Sequence, residues 1–162
     1  MSFTSDEIER YARHLMLREV GGPGQQKLKA ARVLLVGAGG LGAPTALYLA
    51  AAGVGVIGLL DPDQVSLSNL QRQVIYATAD VGRAKVDAAS ERLQALNPHV
   101  QGEAHPLALD AQNAARVIDG YDLVIDGTDS FSARFAVNAA CHATGRVLGS
   151  GAIGRWPGQV AV

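Results

Sequence analysis

The chain has 162 residues, room for one domain with an ordinary core. A hydrophobic fraction of 48% against 18% charged residues excludes a disordered chain. A net charge of −1 with no basic run gives no ground for nucleic-acid binding, and no apolar run reaches the length of a membrane span or a signal-peptide core.

Cys141 is the single cysteine, so no internal disulfide can form and a cytoplasmic setting is expected. Sparse aromatics and 19 glycines suit an α/β protein with many tight strand-to-helix turns. Thr4-Ser-Asp-Glu7 reads as a capping box opening a helix with Ile8, Tyr11 and Leu15 on one face. Val20-Gly-Gly-Pro-Gly24 is expected to break it, making 1–24 a helical arm ahead of a domain over 25–162. Residues 32–36 form a buried-type strand, followed by a glycine turn and a small-residue helix over about 43–52 that ends at Gly53. Pro44 falls in the first turn of that helix, where a missing N–H costs little. A second strand covers 56–60 and runs into Asp61-Pro-Asp63.

Residues 64–79 are polar and loop-like, and a helix over about 83–96 follows, with Val86, Ala89, Leu93 and Leu96 on one face. A strand near 100–105, a helix near 111–118 and an apolar strand at 123–125 lead to Asp126-Gly-Thr-Asp-Ser130. A helix over about 131–144, a strand at 146–149 and a last strand before Val162 complete the chain. It stops in mid-strand, so a fragment truncated at its C-terminus is expected. The alternation of strands and helices predicts a Rossmann-like, doubly wound, mainly parallel α/β sheet.

Gly37, Gly39 and Gly42 stand in G-x-G-x-x-G register between a strand and a helix. Such glycines let the backbone turn tightly against a phosphate, which meets the free N–H groups and positive dipole end of the helix. An acidic residue about twenty positions on, here Asp61, commonly accepts from ribose hydroxyls. No Gly-Lys-Ser/Thr follows, so the turn is not a Walker loop. The glycine pattern and Asp61 alone favour an NAD-dependent oxidoreductase domain. Arg72 and Lys85 argue otherwise, because a triphosphate needs cations beyond the glycine turn while a dinucleotide's two phosphates do not. Read singly, each of these two side chains is an ordinary solvated cation.

The ordered set Gly37-x-Gly-Gly-Leu-Gly42, Asp61-x-Asp-x-Val-x-x-Ser-Asn-Leu-x-Arg-Gln73, Gly82-x-x-Lys85 and Thr128-Asp129 resembles the ThiF/MoeB family. These are adenylyltransferases related to ubiquitin-activating enzymes, and the likeness is greatest to the molybdopterin-synthase branch, with the thiamin-type activators close behind. It runs from Arg10 to the last residue. The resemblance implies ATP and Mg²⁺ as ligands. It also implies a homodimer and, as partner, a ubiquitin-like sulfur carrier whose C-terminal Gly-Gly carboxylate attacks the α-phosphate, giving an acyl-adenylate and pyrophosphate. That carboxylate, with a pKa of about 3.5, is already ionised and needs no general base, so no Ser-His-Asp or Cys-His set is required.

By the same resemblance Gly37, Gly39, Gly40 and Gly42 cradle the nucleotide, Asp61 holds the ribose, and Asn69, Arg72 and Lys85 contact the phosphates. Asp63, Ser68, Leu70, Gln71 and Ser130 join the nucleotide-binding set. Asp129 matches a magnesium-associated aspartate, and Arg13 an arginine sent into the partner subunit's site. Without the family likeness Asp129 can also be read as a helix N-cap, and Arg13 as a solvent-facing side chain. The chain departs from the family in three ways. Ser130 stands where asparagine is common. The two C-x-x-C pairs of the family's zinc site are absent, leaving Cys141 as a small core residue. The family domain also continues well beyond 162 residues. His14, His99, His105 and His142 lack metal-ligand spacing and read as structural or surface residues. A nucleotide-binding or dimerisation module without turnover is the remaining alternative.

Overall fold

A computed structural model describes residues 2–162. Its strands are β1 (Arg32–Val36), β2 (Val56–Leu60), β3 (Gln101–His105), β4 (Leu123–Asp126), β5 (Val147–Ile153) and β6 (Gly158–Ala161). They form one sheet in the order β3-β2-β1-β4-β5-β6. All pairs are parallel except β5–β6, which is antiparallel. The order reverses beside β1, whose two neighbours β2 and β4 come from opposite halves of the winding. A crevice therefore opens between the C-terminal ends of β1 and β4, where such sheets place ligands.

Period-two alternation sends the strand side chains to two cores. Val33, Leu35, Ile57 and Leu59 pack under α4 (Gly42–Ala52) and α5 (Lys85–Leu96), meeting Ala46, Ala50, Val86, Ala89 and Leu93. Leu34, Val36, Leu60 and Val124 face α6 (Ala114–Ile118) and α7 (Phe131–Thr144) on the other side. Cys141 is buried in this second core, as expected of a small core residue. Burial, then the nearby Asp126 carboxylate, push its thiol pKa up and away from reactivity. Gly53 ends α4 at φ 84, the left-handed cap that glycine adopts without strain. Among the described residues no helix is long and apolar enough to cross a membrane.

The N-terminal segment departs from its expected form. The Thr4–Glu7 capping box opens α1 (Ser5–Arg10), and α2 (Ala12–Met16) follows. Ile8 lies exposed, however, while Glu7 is buried against Lys29 at 2.7 Å, so the inward face carries an ion pair. The helical run breaks earlier than expected, over residues 17–20, and Gly21-Gly-Pro-Gly24 forms the first turn of a new helix, α3 (Gly21–Ala30). Tertiary bonds override the poor helix propensity of those glycines. Buried Gln25 donates to the Ala52 carbonyl at 2.8 Å and bonds His14 Nδ1 at 2.9 Å.

Two other helices start later than expected. In α5, Arg83 is taken by Asp80 and Glu91, so the helix begins at Lys85, and Leu96 turns partly outward. Before α6, Asp110 accepts from the Gln112 and Asn113 N–H groups, holding 111–113 as a turn.

Candidate nucleotide site

The glycine turn joins β1 to α4 and admits no side chain at its crossing point. A Cβ on Gly42 would lie 1.9 Å from the Gly37 carbonyl oxygen, and one on Gly37, whose φ is 93, would press on Gly127 at 3.2 Å. The β1–α4 and β4–α7 connections therefore abut backbone to backbone at the crevice. The N–H groups of Gly39, Gly40 and Leu41 have no protein partner among the described residues. They are the orphan donors of a helix start, the arrangement that receives a phosphate.

The turn is held from below by side chains on other elements. Asp61, at the end of β2, accepts from the Ala38 N–H and the Asp63 N–H, both at 2.9 Å. Lys85 Nζ lies 2.7 Å from Asp63 and 3.6 Å from Asp61 with its side chain almost wholly buried. Tyr76 donates its hydroxyl to the Ala38 carbonyl at 2.8 Å. Burial, then Asp61, Asp63 and Asp80 nearby, raise the phenol pKa strongly, so Tyr76 stays a neutral donor.

The expected site residues divide among three groups. Gly37, Gly39, Gly40, Gly42, Asp61, Asp63, Arg72 and Lys85 surround the turn. Arg72 is exposed, with no ion pair among the described residues, and its side-chain carbons and Nε lie 3.7–3.8 Å from where a Gly40 Cβ would stand. Ser68 and Asn69 sit in a short 3-10 turn, where Ser68 Oγ bonds Ser66 Oγ at 3.0 Å. Leu70 packs against the α4/α5 core and Gln71 is exposed.

The second group lies across the crevice. Gly127 abuts Gly42 and Leu41, and Asp129 follows two residues on, its Cα within about 7 Å of that of Gly127 by chain length. Its side chain is exposed and makes no hydrogen bond or ion pair. The N-cap of α7 is Ser130, which accepts from the Ala133 N–H and bonds Ser132 Oγ at 2.8 Å. Capping is thus excluded as the role of Asp129 and assigned to Ser130. No cluster of three metal-ligating side chains occurs among the described residues. A single carboxylate completed by phosphate oxygens and water suits magnesium.

Arg13 forms the third group. Tyr11 anchors the arm against Gly53 and donates nothing to the crevice, its hydroxyl accepting from Asn97 at 2.8 Å. Gly53 and Asn97 close α4 and α5 at their C-terminal ends. Arg13 is therefore separated from its own glycine turn by the length of α4, roughly 16 Å.

The sequence reading assigned no role to Tyr76, or to Asp126 and Arg134, which frame the second connection. Buried Asp126 accepts from Thr128 Oγ1 at 2.7 Å and Ser150 Oγ at 3.1 Å, and Arg134 lies 3.5 Å from it. Arg134 also donates to the Thr128 and Gly151 carbonyls. No local signal marks these residues; their order in the sequence does not reveal which strand ends adjoin.

The ThiF family model matches residues 11–162. A sulfur carrier protein adenylyltransferase of Thermus thermophilus is 50% identical over the whole chain, which covers 60% of that protein. A probable adenylyltransferase/sulfurtransferase MoeZ of Mycobacterium tuberculosis is 50% identical over 99% of the chain, covering 41% of that protein. Among solved structures, E. coli tRNA N6-threonylcarbamoyladenosine dehydratase TcdA in complex with ATP superposes with a TM-score of 0.88 at 29% identity. That match covers 95% of this chain and 63% of TcdA. The chain thus spans 60% or less of these two sequence relatives. With a matching sheet and an ordered motif set along nearly its whole length, the chain belongs to the ThiF family.

Proposed function

We propose that this chain forms the ATP-binding part of an adenylyltransferase that activates the C-terminal Gly-Gly carboxylate of a ubiquitin-like sulfur carrier. The observation that carries this reading is the unpaired Arg72, its side-chain carbons and Nε lying against Gly40, beside the free N–H groups of the turn. A cation in that position extends the phosphate site beyond what the two phosphates of a redox dinucleotide require. The adenylyltransferase names of the sequence relatives and the ATP complex of TcdA support the same reading.

In the reaction a carrier carboxylate oxygen bonds to the α-phosphorus as the bond from that phosphorus to the bridging oxygen breaks. The bond's electron pair leaves with pyrophosphate. No proton moves, so the protein's work is to position the phosphates and neutralise their charge. Gly39, Gly40 and Leu41 donate N–H groups to phosphate oxygens, and Arg72 stabilises the leaving charge. Lys85 has three donors and spends one on Asp63, so its ammonium bridges the ribose side of the site and the phosphates. A bound magnesium ion would draw charge from the phosphate oxygens, and Asp129 is the free carboxylate that fits it. Arg13, at the far end of α4 from its own turn, serves the site of a second copy in a homodimer.

ATP–pyrophosphate exchange in the full-length protein, stimulated by a carrier ending in Gly-Gly, tests the reading. Thermal stabilisation by NAD with none by Mg-ATP would refute it.

A further inference from the structure

Arg134, near the start of α7, spends its guanidinium on the β4–α7 connection and on β5. Nε and Nη2 both donate to the Thr128 carbonyl, Nη2 also to the Gly151 carbonyl, and Nη1 to Ser150 Oγ at 3.2 Å. From the other side one oxygen of buried Asp126 accepts from the Thr128 N–H at 3.0 Å and from the Thr128 hydroxyl at 2.7 Å. The second oxygen accepts from Ser150 Oγ and lies 3.5 Å from Arg134 Nη1, which closes the network. Thr128 therefore has its N–H, its hydroxyl and its carbonyl all held by two charged side chains. A buried ion pair is a weak source of net stability, because desolvation offsets the attraction. What this one fixes is a single peptide plane. The Thr128 carbonyl belongs to the peptide unit whose nitrogen is that of Asp129. On the far side the chain is fixed again by Ser130, the N-cap of α7. Asp129 itself makes no hydrogen bond or ion pair among the described residues, so its backbone alone sets where the carboxylate points from.

We propose that Arg134 is a positioning residue which, together with Asp126, aims the Asp129 carboxylate at the cation bound with the nucleotide. This rests on the ATP-site reading above. An arginine suits the task, because its planar fork of donors binds two carbonyls and a hydroxyl at once, whereas an ammonium is a single point of charge. Placement matters because magnesium demands near-ideal octahedral geometry. A carboxylate on a loose connection would have to be ordered each time the metal arrives, and the network does this in advance.

The test is calorimetric binding of ATP to the full-length protein, once with Mg²⁺ and once with EDTA, for Arg134→Met, Arg134→Lys and Asp129→Asn. Losing a residue that supports a metal ligand weakens metal affinity by about 10- to 100-fold. Arg134→Met is accordingly expected to raise the Mg-ATP Kd about 10-fold while the Kd in EDTA stays within about 2-fold of the parent value. In an Asp129→Asn background the same substitution adds nothing, since the residue it acts through is gone. Arg134→Lys keeps a cation beside Asp126, so it folds where the methionine variant fails to, and it shows the same pattern with a smaller rise. An unchanged Mg-ATP Kd in both Arg134 variants overturns the proposal. Equal weakening with and without metal, or an undiminished effect in the Asp129→Asn background, also overturns it, since a merely structural prop would behave so. If Asp129→Asn alone leaves the Mg-ATP Kd unchanged, the metal role of Asp129 fails first and the proposal falls with it.

Discussion

Tyr76→Phe removes one oxygen atom and isolates what that oxygen does. The Tyr76 hydroxyl is the side-chain donor to the Ala38 carbonyl, at 2.8 Å in a buried setting. Phenylalanine keeps the ring packed among the β1/β2 core residues while leaving a buried carbonyl one partner short. That loss costs about 1–3 kcal/mol. For a domain of this size each kcal/mol moves Tm by roughly 2–4 °C, so a fall of about 2–12 °C is expected. Ala38 precedes the unpaired N–H groups proposed to receive a phosphate, so the variant should also show a smaller Mg-ATP-induced shift than the parent protein. Thermal unfolding with and without saturating Mg-ATP reads both quantities. A Tm within about 1 °C of the parent together with an undiminished ligand shift would refute the claim that Tyr76 holds the turn.

Gly42→Ala should prevent the turn from closing, because its Cβ meets the Gly37 carbonyl at 1.9 Å; soluble protein with parental Mg-ATP affinity would contradict this. Arg72→Ala leaves the unliganded Tm unchanged, since the side chain is exposed and unpaired. It weakens Mg-ATP binding by about 10- to 100-fold, the loss of one charge-assisted hydrogen bond, measured by calorimetry. If Arg13 acts across a dimer, a mixture of Arg13→Ala and Lys85→Ala chains recovers part of the pyrophosphate exchange that each lacks alone.

Acid stability depends on Glu7 and Glu103. Burial raises the pKa of each carboxyl but is outweighed, for Glu7 by Lys29 and the Thr4 N–H and for Glu103 by Tyr121 and Arg32, so both lie below their usual 4.5. Depressed carboxylates contribute stability that is present above the unfolded value and lost as the pH falls through the folded one. The loss therefore occurs below about pH 4.5, and Glu7→Gln should flatten that limb in acid titrations followed by circular dichroism.

The strands were legible because their apolar runs are short, strongly hydrophobic and bounded by glycine or aspartate; β1 and β2 fall on the expected residues. The helix after Val20 was not legible. Its opening glycines read as punctuation, and the Gln25 bonds that hold it reach to Ala52 and His14, elements whose proximity no local pattern encodes. The glycine turn and Asp61 stand out from local spacing, whereas Asp129 is singled out only by the family likeness. Tyr76 and Arg134 are marked by neither, since each acts on a backbone carbonyl or carboxylate brought near only by the sheet order. Ile8 illustrates a related failure, for helical periodicity identifies a face without saying whether anything covers it.

Asp61 shows why the two halves of the motif set travel together. Its position after β2 suits a ribose acceptor, and one of its oxygens already accepts from Ala38 and the other from Asp63. A carboxylate has about four acceptor sites, so a ribose hydroxyl can still be taken without breaking these bonds. The Ala38 bond ties the glycine turn to the end of β2, while the Asp63 bond and Lys85 tie the following loop to the same carboxylate. Replacing Asp61 with alanine would therefore leave Lys85 paired with exposed Asp63 alone and free the Ala38 N–H. Loss of nucleotide binding in such a variant would measure the collapse of the turn as well as any ribose contact. Asp61→Asn is milder, retaining an acceptor for Ala38 or Asp63 but setting an amide donor against the other N–H and removing the charge that faces Lys85. The end of β2, the glycine turn and the loop that carries Asp63 are accordingly one hydrogen-bonded unit, with Asp61 at its centre.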